Sequence, residues 1–122
     1  MRLRSVLPSV LAVAVGLAGA ALAETPVVAP VDAAQHVGKE VVVEGVVVQV
    51  SVSTPSEPIY LNFGARYPKH VFAAVVFADK RALFADAGKW EGKKVRVTGT
   101  VQLYRGKPEI VLNDPAQLAL VK

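Results

Sequence analysis

The pattern Gly-Lys-x-Val-x-Val-x-Gly-x-Val occurs twice in this chain, from Gly38 to Val47 and from Gly92 to Val101, 54 residues apart. In the second copy Val95, Val97, Val101 and Leu103 alternate with Lys94, Arg96, Thr98 and Gln102, the period of a strand with one buried face. Residues 92–112 then read as a hairpin: a long strand, a turn at Arg105-Gly106-Lys107 and a shorter return. The first copy opens a strand from Glu40 to about Ser53 with valine on both faces as far as Val48. Beyond Gly45, Val46, Val48, Val50 and Val52 fall on one face and Gln49, Ser51 and Ser53 on the other, a register change that a bulge at Gly45 would produce. Gly99 interrupts the second copy in the same way. Two bent strands are expected, and bent strands suit a barrel.

The start of the chain has the form of an export signal. Arg2 and Arg4 precede an apolar stretch, Val6 to Leu22, and Ala21-Leu22-Ala23 is a small-x-small cleavage site. Residues 1–23 read as a signal peptide cleaved after Ala23, which places the mature protein in the periplasm or outside the cell with no stable membrane anchor. The apolar run nears the length of a membrane span, so an uncleaved anchor is the alternative. With no cysteine in the chain, neither a lipoprotein anchor nor a disulfide framework can form. Removing 23 of the 122 residues leaves 99, enough for one small domain. An extended lead-in is expected over 24–32 and the folded domain over 33–122. Cleavage also removes two arginines, lowering the formal net charge from +4 to +2. Residues 66–107 carry ten Lys or Arg against three acids, and residues 24–65 one Lys against five acids. A basic side facing a more acidic one is the expectation.

Asp32 reads as the cap of a short turn of helix, Ala33 to His36, stopped by Gly38. Ile59 to Phe63 is a strand with Ile59, Leu61 and Phe63 on one face and Tyr60 and Asn62 on the other, and Val71 to Phe77 is a strand buried on both sides. Asp79 looks like the cap of a helix over Lys80 to Ala87, and Leu118 to Val121 closes the chain. This order of strands, with one short helix between the third and the fourth, predicts an all-β, five-stranded Greek-key barrel of the OB type.

Several motifs sharpen that reading: Gly38-Lys39 with Gly45, Tyr60-Leu61-Asn62-Phe63-Gly64, Tyr67-Pro68, Phe72 to Phe77, Gly92-Lys93, Val97-Thr98-Gly99 and Tyr104 to Val111. In this order they resemble the exported bacterial OB-fold modules, nucleic-acid-binding-like small domains found alone or beside secreted thermonuclease-type domains. The resemblance spans roughly residues 33–120 and implies the fold more firmly than any activity.

The chemistry of the residues argues against catalysis. His36 and His70 are the only histidines, lie 34 residues apart and have no cysteine partners, so no metal spacing is present. His70 reads as a rim or packing residue. No serine sits in a nucleophile-elbow context, and Gly38-Lys39 and Gly92-Lys93 lack the rest of a phosphate-binding loop. No catalytic residue, metal or cofactor is assigned. OB barrels bind along their second and third strands and in two loops. The candidate ligand-binding residues are therefore Tyr60, Asn62, Arg66, Tyr67, Lys69, Arg96, Tyr104, Arg105 and Lys107. Aromatic rings interleaved with cations suit single-stranded nucleic acid, bases stacking and phosphates meeting Lys or Arg. Tyr60 and Tyr104 stand opposite apolar neighbours, whereas Phe72 reads as core and Tyr67-Pro68 also as a turn. An envelope protein or glycan on the same barrel face is the alternative partner.

Overall fold

The computed structural model describes residues 24–122, so the expected signal peptide over 1–23 lies outside the described residues. Eight strands follow in order: β1 Val27–Val28, β2 Glu40–Ser51, β3 Ile59–Phe63, β4 Phe72–Val76, β5 Lys94–Thr100, β6 Gln102–Tyr104, β7 Lys107–Val111 and β8 Leu118–Leu120. Short 3-10 helices cover Pro30–His36, Ala78–Phe84, Ala87–Trp90 and Pro115–Gln117.

The two copies of the repeated pattern pair with each other. β2 and β5 run antiparallel with Val43 opposite Val97, Val41 opposite Gly99 and Gly45 opposite Val95. The pairing has a local two-fold symmetry about Val43 and Val97. Gly38 donates its N–H to the Val101 carbonyl at 2.8 Å, and Gly92 donates to Val47 at 2.7 Å. In return Val101 donates to Lys39 at 3.1 Å and Val47 to Lys93 at 2.9 Å. Equivalent positions of the repeat thus close both ends of the ladder.

Neither internal glycine is the expected bulge, since both sit in regular register. Each makes room for a neighbour. A Cβ on Gly45 would lie 2.6 Å from Pro30 Cγ, and one on Gly99 would lie 2.5 Å from Ile110 Cγ2 and 3.2 Å from Gln117 Nε2. The register shift in β2 falls between Val47 and Gln49 instead. That shift turns Val47 and Val50 inward and leaves Val46, Val48 and Val52 exposed, so the expected facing of the second half of β2 is corrected. Just past the shift, the Val50 N–H is taken by the Glu91 carboxylate at 2.7 Å.

The sheet runs β6-β7-β4-β3-β2-β5-β8, with β1 laid parallel on β2. The architecture is mostly β, but it is not the closed ring of five strands expected from the sequence. Val101 splits the fourth expected strand into β5, which pairs with β2, and β6, which pairs with β7. The lead-in and the C-terminus add β1 and β8. Val41, Val43, Val47, Leu61, Phe63, Phe72, Val95, Val97 and Ile110 fill the core, with the Phe63 and Phe72 rings 5.3 Å apart. The helical expectations also shift. The first helix begins at Pro30, so Asp32 lies inside it, and the segment after β4 is two 3-10 turns beginning at Ala78, so Asp79 is not its cap.

Candidate ligand-binding cleft

Cross-strand pairing places Gln49, Asn62, Ala73, Glu109 and Gln102 in one row across β2, β3, β4, β7 and β6. In β3, β4 and β7 these residues alternate with core residues such as Leu61, Ala74 and Ile110, so the row lies on the outer face. Ala73 stands at its centre. Its single methyl leaves a hollow there, and loops rise around it to enclose a cleft of about 430 Å³.

Three segments form the walls. The hairpin between β6 and β7 turns on Arg105 and Gly106, both left-handed at φ 52° and 82°, the two-residue turn whose twist matches the flanking strands. Tyr104 and Lys107 are opposite each other at its base. The Arg105 guanidinium lies 5.3 Å from the Tyr104 ring centroid, a cation–π distance. The turn after β3 carries Tyr67, whose ring stacks on His70 at 5.7 Å and 23°. The loop after β2 brings Glu57 and Pro58 to the rim and is fastened by Arg81, which donates to the carbonyls of Thr54 and, at 3.0 Å, Glu57.

Of the residues expected from the sequence, the cleft gathers Tyr60, Asn62, Tyr67, Tyr104, Arg105 and Lys107. Two of these are held by internal bonds. Asn62 is 2% exposed and donates to Gln49 Oε1 at 3.1 Å, the oxygen that also accepts the Tyr67 N–H at 2.9 Å. Lys107 Nζ donates to the carbonyls of Pro68 at 2.5 Å and His70 at 2.6 Å, tying the hairpin to the neighbouring turn. Arg66 and Lys69 are exposed on that turn but do not line the cleft. Arg96 lies elsewhere, on β5, where its Nε meets Glu44 at 2.7 Å beside Lys94 at 3.4 Å. These contacts, Arg96 first, hold the Glu44 carboxyl below the usual carboxylate range.

Sequence reasoning missed Glu109, which is 6% exposed at the cleft floor and accepts from Gln102 Nε2 at 3.0 Å. Its signal was present in the hairpin register: a two-residue turn that pairs Tyr104 with Lys107 also pairs Gln102 with Glu109. Burial pushes the Glu109 carboxyl up. The Tyr60 phenol is raised by burial and then by the charge of Glu109. The His70 imidazole is lowered by burial and then by Lys107, and its Nδ1 is buried without a hydrogen-bond partner. Among the described residues no group of three or more His, Cys, Asp or Glu gathers as metal ligands. No helix among them is long and apolar enough to cross a membrane. The cleft offers aromatic faces, a cation at the rim and acceptors at the floor, which is the chemistry of binding.

No protein-family model matches the chain, and no curated protein does. Solved structures do. OBody AM3L15 bound to hen egg-white lysozyme aligns with a TM-score of 0.57 at 17% identity over 83% of this chain and 98% of that one. Asparaginyl-tRNA synthetase from Pyrococcus horikoshii complexed with asparaginyl-adenylate aligns at 0.51 and 22% identity, over 72% of this chain and 20% of the synthetase. The S. pombe Stn1–Ten1 complex aligns at 0.50 and 14%, over 68% of this chain and 58% of that one. At these identities the likeness is one of fold, and the fold is of the OB type.

Proposed function

We propose that this chain is an exported, non-enzymatic OB-fold module that seats single-stranded nucleic acid in the cleft over Ala73. It would belong with the exported OB-fold domains that its motifs resemble. The observation that supports this reading is the convergence of Tyr60, Tyr104 and the Tyr67–His70 stack on one cleft, with Arg105 at its edge. Flat rings accept bases of any sequence, and a rim cation meets a phosphate. Fluorescence anisotropy of the mature protein with a labelled single strand at low salt tests it. Tyr60→Ala and Tyr104→Ala should each weaken binding by about 1–3 kcal/mol, whereas Arg96→Ala, away from the cleft, should change it little. Absence of binding at low salt, where electrostatics is least screened, would overturn the reading.

A second reading, a protein or glycan partner from the cell envelope on the same face, is favoured by one observation: a structure of the same fold is bound to hen egg-white lysozyme. Such a complex would respond weakly to salt, whereas phosphate contacts respond steeply.

A further inference from the structure

Stacking on tyrosines and a phosphate contact from Arg105 leave Glu109 without a task, and an anion at the cleft floor is a poor neighbour for phosphates. Glu109 is nonetheless 6% exposed. Its Oε1 accepts from Gln102 Nε2 at 3.0 Å, and no other donor reaches the carboxylate among the described residues. A carboxylate so far removed from water requires donors to offset its lost hydration. Around it the cleft is open: Glu109 pairs with Ala73 across the β4–β7 ladder, and both border the same space as Tyr60 and Tyr104. A planar group stacked on those rings would present its edge towards the floor.

Resting on the nucleic-acid reading above, we propose that Glu109 reads base identity, accepting a hydrogen bond from the exocyclic amine of a base seated in the cleft. Cytosine presents the N4 amine, a donor, where thymine presents the O4 acceptor. The carboxylate can take a hydrogen bond from the first and meets a lone pair on the second. The cleft should therefore prefer cytosine over thymine although both stack alike. Discrimination of this kind is open to a nearly buried group because a mismatched partner leaves it unpaired.

The test compares labelled oligodeoxycytidine and oligothymidine of equal length by anisotropy, at low salt and pH 8. The wild-type protein should bind the cytosine strand tighter on the order of tenfold, as a good base-edge contact allows. Glu109→Gln keeps the acceptor for Gln102 but adds a donor, and should bring the two affinities together. A strand with 2-pyrimidinone in place of cytosine lacks only the amine, and on the wild-type protein it should bind clearly more weakly than the cytosine strand whether or not the variant folds. Equal binding of the two strands, or full affinity for the 2-pyrimidinone strand, would overturn the role of Glu109 and leave the module a nucleic-acid binder. A preference undiminished in a folded Glu109→Gln variant would do the same. Binding of neither strand would overturn both.

Discussion

Gly99 illustrates how one absent side chain can be visible in a sequence while its reason is not. The pattern marked it, with Gly45, as an interruption, and a bend was the natural inference. In the fold both are regular ladder positions, without a bulge, where a second element crosses close by, Ile110 over one and Pro30 over the other. Gly99→Val would force a β-branched side chain into Ile110 and Gln117, and should destabilise the domain by about 1–3 kcal/mol, the usual cost of overpacking. Urea unfolding measures this, and an unchanged midpoint would show that Ile110 can move aside. His70 makes a pH prediction of definite sign. Burial and then Lys107 depress its folded-state pKa, so the unfolded chain binds this proton more readily. The stability it contributes is present above the ordinary imidazole value of about 6.5 and declines as the pH falls through that value towards the depressed one. Glu109 acts in the opposite sense, because its raised pKa makes folding less favourable as the pH climbs above its unfolded value. His70→Gln should flatten the fall in Tm on the acid side of neutrality. An identical fall in the variant would locate the titration elsewhere.

Among the elements, strands with a clean alternation were legible at almost their true bounds. Ile59–Phe63 was read as found, since Ile59, Leu61 and Phe63 alternate with polar residues. β2 was harder, because valine on both faces carries no parity; its shift between Val47 and Gln49 is supported by Glu91, 41 residues from Val50. The helical turns expected over Ala33 to His36 and Lys80 to Ala87 are 3-10 in form and begin earlier, at Pro30 and Ala78, whereas the turn at Pro115–Gln117 was not read at all. The cleft was half legible. Tyr60, Tyr67, Tyr104 and Arg105 were found by strand parity and turn position, and Glu109 was within reach of the hairpin register, but Ala73 matters only through the pairing of β4 with β3 and β7, which the sequence does not specify. Ala73 is the decisive element-scale residue, because its size keeps the hollow open. Ala73→Leu should fill that hollow and weaken binding by about 1–3 kcal/mol, the worth of the stacked base it displaces. Stability should change by less than about 1 kcal/mol, since the added atoms enter the cleft rather than the core. Anisotropy and thermal melting together separate the two effects, and undiminished binding by a folded Ala73→Leu variant would place the ligand elsewhere.

At the scale of the whole molecule, several of the basic residues over 66–107 are engaged within the fold. Arg81 fastens the loop after β2, Arg96 and Lys94 meet Glu44, and Lys107 is held by two carbonyls. The chain spends its cations on its own loops and edges, and around the cleft Arg66, Lys69 and Arg105 are left for a phosphate chain. With a formal charge of only +2 over the described residues 24–122, long-range attraction adds little to these contacts. Two or three phosphates would then be neutralised, which gives a salt slope of about −1.4 to −2.1 at about −0.7 for each contact with a single strand. Arg105→Asn is the informative variant: Asn tolerates the left-handed conformation that this turn imposes, so the charge is removed while the hairpin is kept. It should flatten the slope by about 0.7, whereas Arg96→Ala should leave the slope unchanged. A slope near zero for the wild-type protein would favour the protein or glycan partner. A slope that Arg96→Ala reduces would mean that the strand runs over β5 and not through the cleft.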